Sequence, residues 1–358
     1  MKRELEQAIN KKDFDSIVLY RLPHKIDKHI LVGYSEIIYN GINVHHCMDK
    51  GFVFEPFDNA KTHGLFINQS YSTTYDQLSD AEKINLSRLF VIDADAPVVE
   101  DDFDAYKQHF EQMHQSISDG QLDKVILSRV QCGPSIHKEH IVNLFETLAD
   151  KYPHAFVYAI SSPDCGTWIG AGPELLLSKH ENRLSTVSLA GTIPNNDTSL
   201  WSDKEIDEQE LVTNYIENTL IQHQADNIEY SEPVTINAGQ VKHLCTNFNF
   251  ELKQTNGNYI GLLYELHPTP AVCGMPKEKA YQLILETEKH KRQYYSGFLG
   301  PVNNGDFEFY VNIRCLQLYA SQSVLYIGGG LTLGSKAENE WQETQLKAQT
   351  LLSVLKNI

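Results

Sequence analysis

The stretch Phe298-Leu299-Gly300-Pro301-Val302-Asn303-Asn304-Gly305-Asp306-Phe307-Glu308-Phe309-Tyr310-Val311 reads as two strands joined by a tight turn. Asn303-Asn304-Gly305-Asp306 offers residues that tolerate a left-handed backbone, and the runs Tyr294–Val302 and Phe307–Tyr319 flank it. Along the second run Phe307, Phe309, Val311, Ile313 and Cys315 share one face, while Tyr310, Asn312 and Arg314 share the other. An antiparallel hairpin is therefore the unit from which the fold is read.

Working outward, the pattern predicts strands over Ser16–Arg21, Ile30–Tyr34, Gly51–Phe57, Lys124–Gln131, Ala155–Ser161, Thr167–Ala171, Leu184–Leu189 and Val241–Glu251. Helices are predicted over Ser79–Phe90, Asp102–Ser118 and Glu139–Lys151. Another opens at the capping box Ser202-Asp203-Lys204-Glu205 and runs to Gln222. The N-terminus from Met1 is charged and helical in pattern, and Asn256-Gly257-Asn258 is a turn leading into an apolar helix that ends at His267-Pro268-Thr269-Pro270. Pro276 suits the first turn of the helix after it. Antiparallel runs interleaved with helices, with no Pro/Gly/Ser-rich linker and no repeat, indicate an α+β fold in a single domain, 1–358.

The 358 residues are 41% apolar and 22% charged, with a net charge of −17 and no basic run. That balance disfavours nucleic acid and anionic membrane surfaces as partners, and no apolar run reaches the ~18 residues of a membrane span. Six scattered cysteines without metal-ligand spacing, and no apolar signal core, predict a reducing, cytoplasmic setting.

Several residues could carry chemistry. Glu340, Glu343 and Lys347 project within about 60° of one another on a helix. Just upstream, Tyr326-Ile327-Gly328-Gly329-Gly330 runs into glycines that a bend or a close ligand would require. Two carboxylates beside such a surface could hold a hard divalent cation, although Glu343 and Lys347 also read as an ordinary i,i+4 pair. Glu208 shares a stripe with Val212, Tyr215 and Thr219, so it is either paired inside or placed to favour the helix N-terminus. Lys124 opens the apolar strand Val125-Ile126-Leu127 and is either a desolvated base or an edge lysine in water. Glu174, between Gly170-Ala171-Gly172-Pro173 and Leu175-Leu176-Leu177, is either a buried acid or a turn residue. Arg314 would suit a carboxylate or simply face solvent. No Ser-His-Asp order, P-loop, dinucleotide fingerprint or zinc motif stands out.

Taken in order, these blocks resemble the chorismate-utilising enzymes, and within them the isochorismate synthases most closely. The resemblance rests on Lys124-Val125-Ile126-Leu127-Ser128-Arg129, Gly170-Ala171-Gly172-Pro173-Glu174, Leu189-Ala190-Gly191-Thr192, Glu208-Gln209-Glu210-Leu211-Val212 and His243-Leu244. It continues through His267-Pro268-Thr269-Pro270-Ala271-Val272-Cys273-Gly274, Arg292, Tyr295-Ser296-Gly297, Ile313-Arg314-Cys315, Gly328-Gly329-Gly330 and Glu340-Trp341-Gln342-Glu343-Thr344. The motif-bearing core is 104–358. Each block is weak alone, but the ordered set is specific.

The resemblance implies one domain with two packed antiparallel sheets flanked by helices, in four layers. It implies a Mg²⁺-dependent isomerase that adds water at C2 of chorismate and releases the C4 hydroxyl. Lys124 matches the base and Glu174 the acid. Glu208 and Glu343 match direct metal ligands, and Glu340 a carboxylate that acts nearby or through water. Ala190, Gly191, Thr192, His243, Ala271, Val272, Tyr295, Arg314, Gly328 and Lys347 match substrate-pocket positions. Lysine at 124, where anthranilate synthases carry glutamine, implies that no amidotransferase subunit is needed, and the chain is expected to act as a monomer. The salicylate-forming branch, which also keeps the lysine, is the competing activity. A non-catalytic chorismate-binding homologue is the competing class. Gly172, Gln209 and Gln342 depart from the family's usual serine, histidine and arginine. The pathway served, menaquinone or siderophore, stays open.

Overall fold

The computed structural model describes residues 14–75, 78–99, 101–252 and 259–356; the N-terminal segment from Met1 and the turn Asn256-Gly257-Asn258 lie outside the described residues. The hairpin forms from β14 (Phe298–Asn303) and β15 (Asp306–Val311), with Asn304 and Gly305 at φ of 53° and 100°. Those are the two positive-φ positions that a two-residue hairpin turn needs. The strand expected over Phe307–Tyr319 is instead two strands. After Val311 the chain bends, Arg314 takes φ of 52°, and β16 (Cys315–Leu318) begins afresh beside a different neighbour. A left-handed residue ends the alternation, so Arg314 turns inward and is buried.

The other strands are β1 (Ser16–Arg21), β2 (His29–Ile38), β3 (Lys50–Glu55), β4 (Gly64–Thr74), β5 (Lys124–Gly133), β6 (Phe156–Ser162) and β7 (Gly166–Gly172). They continue with β8 (Leu175–His180), β9 (Arg183–Pro194), β10 (Ala225–Tyr230), β11 (Val234–Ala238), β12 (Val241–Leu252), β13 (Gly274–Met275) and β17 (Ser323–Leu331). Every pairing is antiparallel, in the unbroken order β13-β5-β17-β16-β7-β6-β1-β2-β4-β3-β14-β15-β8-β9-β12, with β10 and β11 both on β12. The two expected sheets are thus two layers of one ribbon that doubles back near β1 and β2.

Aromatic rings fill the space between the layers: Phe52 and Phe54 of β3 pack against Phe156 and Trp168 of β6 and β7, and Phe156 stacks on Tyr310 at 4.3 Å. Outside one layer lie the helices Lys138–Lys151 and Ala337–Leu355, with Leu144, Phe145, Leu351 and Val354 against Val157, Ile169 and Leu316. Outside the other lie Asp203–Gln222 and Tyr259–Leu266, with Val212, Ile216 and Leu262 against Leu177, Phe248 and Phe309. Helices Phe103–Ser118 and Lys277–Thr287 cover Val125 and Leu127 of β5. Helix, sheet, sheet and helix make four layers, an α+β architecture as expected.

Local signals act as read. Asp102 accepts a hydrogen bond from the Ala105 amide at 2.8 Å, and the Ser202 amide donates to Glu205 at 3.2 Å. Pro276 caps its helix one residue ahead of the first turn predicted for it. All six cysteines are free thiols, with Cys132 exposed. No helix among the described residues is long and apolar enough to cross a membrane.

Candidate active site

Four strands of the ribbon, β5, β17, β9 and β12, and two helices converge on one cavity. Lys124 starts β5, where β17 runs alongside with Gly330 opposite Ile126 and Leu331 opposite Val125. The glycines of β17 leave its face bare. A Cβ on Gly330 would stand 2.9 Å from Glu208 Oε1 and 3.0 Å from Lys124 Cε, so the two side chains meet directly over the backbone. Lys124 is 1% exposed and its Nζ lies 2.7 Å from Glu208 Oε1. The reading of Lys124 as an edge lysine in water is thereby excluded, and of the two readings for Glu208 the structure shows the one paired inside. Burial pushes the Glu208 carboxyl up, but Lys124 outweighs it and holds the group below its ordinary range.

Glu174 sits in the turn between β7 and β8, buried, with Thr269 Oγ1 donating to its Oε1 at 2.9 Å. Burial raises its carboxyl to about 7, against the pull of that hydrogen bond and of Lys124. A group poised there is an acid near neutral pH.

The cationic side holds Arg314 and Lys347. Arg314 donates to the Ala238 carbonyl at 2.7 Å and to His243 Nε2 at 2.6 Å. A guanidinium only donates, so His243 accepts at Nε2 and carries its proton on Nδ1, which faces the Gly191 carbonyl at 3.0 Å. Burial, Arg314 and Lys347 drive the imidazole well below its ordinary value, and it stays neutral. Lys347 donates to the Gly328 carbonyl at 3.0 Å and pairs with Glu343 at 2.8 Å. Tyr295 stacks on Tyr326, and a Cβ on Gly328 would stand 2.6 Å from its hydroxyl, so only glycine fits beneath it. Ala190, Thr192, Ala271 and Val272 line the wall, and Gly191, at φ of 63°, turns β9 beside Glu205. Arg292 braces that wall from behind, donating to the Val272 and Ile126 carbonyls and pairing with Glu288 at 2.6 Å.

The predicted residues therefore gather in one place, but the three carboxylates do not form a closed cage. Among the described residues no three His, Cys, Asp or Glu side chains converge closely enough to enclose a metal ion. Glu208 is held by Lys124, Glu343 by Lys347, and buried Glu340 by Lys204 at 3.2 Å. Glu340 and Glu343 nevertheless share one bare spot: a Cβ on Gly329 would lie 3.6 Å from an oxygen of one and 3.7 Å from an oxygen of the other. Burial and Glu343 raise the Glu340 carboxyl despite Lys204. Crowded hard oxygens over glycine backbone fit a hard divalent cation.

Lys204 and Thr269 were missed as contributors. Lys204 stands four residues before Glu208 on its helix, a spacing that places both on one face. Of the three departures, Gly172 faces the Val311 and Ile313 carbonyls at 3.1 and 3.2 Å from a built Cβ, so a serine would press on backbone. Gln209 is buried, donating to Ser188 Oγ at 2.8 Å, and Gln342 is exposed.

Residues 62–356 match the family of chorismate binding enzymes. The chain is 31% identical over 317 residues to the isochorismate synthase EntC of Escherichia coli (strain K12), spanning 84% of this chain and 79% of that one. It is 32% identical over 268 residues to the isochorismate synthase DhbC of Bacillus subtilis (strain 168), spanning 70% and 67%. The crystal structure of DhbC from Bacillus anthracis superposes with a TM-score of 0.79 at 27% identity, over 98% of this chain and 99% of that one. Anthranilate synthase component I from Streptococcus pneumoniae TIGR4 shares the fold, with a TM-score of 0.70 at 17% identity over 94% and 92%. With the match covering most of its length, this chain belongs to the chorismate binding enzymes.

Proposed function

We propose that this chain is an isochorismate synthase acting on chorismate as a single functional unit, a monomer in the cytoplasm, without an amidotransferase subunit. The observation that carries the reading is the placing of Lys124 and Glu174 in one cavity with Arg314 and Lys347. Water attacking C2 gives up a proton to Lys124, which must be neutral and freed from Glu208 for that step, while Glu174 delivers one to the C4 hydroxyl, which leaves as water. One water enters and one departs, so substrate and product are isomers. Arg314, oriented by His243, offers a fork for the enolpyruvyl carboxylate, and Tyr295 stands beside it. Glu343 and Glu340, with Glu208 once it is free of Lys124, would hold Mg²⁺. When bound there, the ion supplies positive charge for the ring carboxylate.

The free space is about 80 Å³, room for a few waters at about 30 Å³ each, because ion pairs close the side chains on one another. Binding a ten-carbon dianion therefore exchanges those pairs for ligand contacts. The test is to incubate the purified chain with chorismate, Mg²⁺ and ammonium and separate the products. Isochorismate is expected, and none should form in excess EDTA. Anthranilate as the main product, or salicylate with equal pyruvate, would replace this reading, and unchanged chorismate would favour a non-catalytic homologue.

A further inference from the structure

Arg314 is a partition. On its far side lies a second cavity of about 270 Å³, between the end of helix Lys138–Lys151 and the turn joining β11 to β12. Among the described residues Arg314 is the one that lines both spaces. One terminal nitrogen donates to Ala238 on the wall of the second cavity and the other to His243 on the wall of the first. Both acceptors are neutral, so a buried guanidinium has no anion among these partners.

The second cavity shares that bias. Lys151, His154 and Arg314 line it, and no aspartate or glutamate does among the described residues, in a chain of net charge −17. Tyr152, Pro153 and Pro173 add flat apolar surface, with the Tyr152 hydroxyl tied to the Thr350 carbonyl at 2.9 Å. The volume equals roughly nine waters at about 30 Å³ each, enough for one ring with a carboxylate.

We infer that this cavity binds a single-ring carboxylate, whose anionic end engages Lys151 and the outer edge of Arg314, and that its occupancy weakens substrate binding. Burial lowers the Arg314 guanidinium to about 10 and outweighs the opposing pull of Tyr152, Glu174 and Glu343, none of which is hydrogen-bonded to it among the contacts above. The coupling rests on the reading of Arg314 as a substrate contact, whereas binding to the cavity does not.

The probe is sodium benzoate, titrated calorimetrically into the full chain without chorismate. The variant is Lys151→Gln with His154→Gln, two exposed positions outside the substrate cavity. Benzoate is expected to bind the wild type, and the double variant to weaken it at least tenfold while leaving uninhibited turnover unchanged. Benzoate should also raise the apparent KM for chorismate in the wild type and far less in the variant. No detectable binding at millimolar benzoate, or equal affinity in both proteins, would overturn the site. Binding lost in the variant but with no effect on KM would overturn the coupling alone. A chain that never turns over chorismate would still report the site by calorimetry.

Discussion

Removing the Thr269 hydroxyl tests the acid directly. Thr269 Oγ1 donates to Glu174 at 2.9 Å, and this bond favours the ionised carboxylate. Burial still wins and raises the group from 4.5 to about 7. At pH 7 about half of Glu174 is then protonated, against about 0.3% of an ordinary carboxyl, a gain of about 150-fold in usable acid. Activity needs the protonated form, so it should fall as pH rises through about 7. A hydrogen bond to a charged group contributes about 1.5–3 kcal/mol, and one pKa unit is about 1.4 kcal/mol. Thr269→Val should therefore move the alkaline limb of kcat/KM upward by roughly one unit or more. Glu174→Gln should lose about 10²–10⁴ in rate below pH 7, since an amide supplies no proton, and should lack the alkaline limb set by Glu174. A profile of kcat/KM from pH 5 to 9 for the three proteins decides it. A limb that stays put or moves down in Thr269→Val, or near-normal turnover in Glu174→Gln, would show that Glu174 is not the acid.

Lys124→Ala should cost about 10²–10⁴ in isochorismate formation while chorismate still binds, as read by equilibrium binding. Near-normal turnover would make the lysine a bystander. Glu343→Gln should raise the Mg²⁺ concentration needed for half-maximal activity and weaken Mg²⁺ binding by calorimetry with little change in Tm; unchanged binding would remove Glu343 from the metal role. Fully buried Glu55 has its carboxyl raised to about 8 by burial, so the folded state holds its proton longer than the unfolded chain does. Stability from this group is complete below about 4.5 and declines as pH rises through about 8. Glu55→Gln should shrink the Tm difference between pH 5 and pH 8, and an unchanged difference would count against it.

Most strands and helices were legible because alternation and capping are local. β4 escaped notice because its second half, Asn68-Gln69-Ser70-Tyr71-Ser72-Thr73-Thr74, is polar; β13 escaped because it is two residues long. The joining of both layers into one ribbon was not legible either, since β1 pairs with β6 from far along the chain, and pairing partners leave no mark in composition. Single residues in the site carried two readings each, and only the ordered set of motifs favoured chemistry. Lys124 and Glu208 needed each other to be understood, because each alone is an ordinary charge and together they are a buried pair. The inward turn of Arg314 depends on a positive φ that Ile313-Arg314-Cys315 does not announce.

The ribbon order also says where this sequence is free to drift. Its opposite arms, β5 with β17 and β9 with β12, face each other across the cavity, whereas β1, β2, β3 and β4 form the bow that holds the arms at that distance. None of the residues lining the cavity comes from those four strands. A bow is judged by its curvature, which many apolar sequences of the right alternation would satisfy. Selection on chemistry therefore bears on the arms and selection on shape on the bow, so relatives should diverge fastest near the N-terminus. The family match begins at residue 62, after β1, β2 and β3 but ahead of β4.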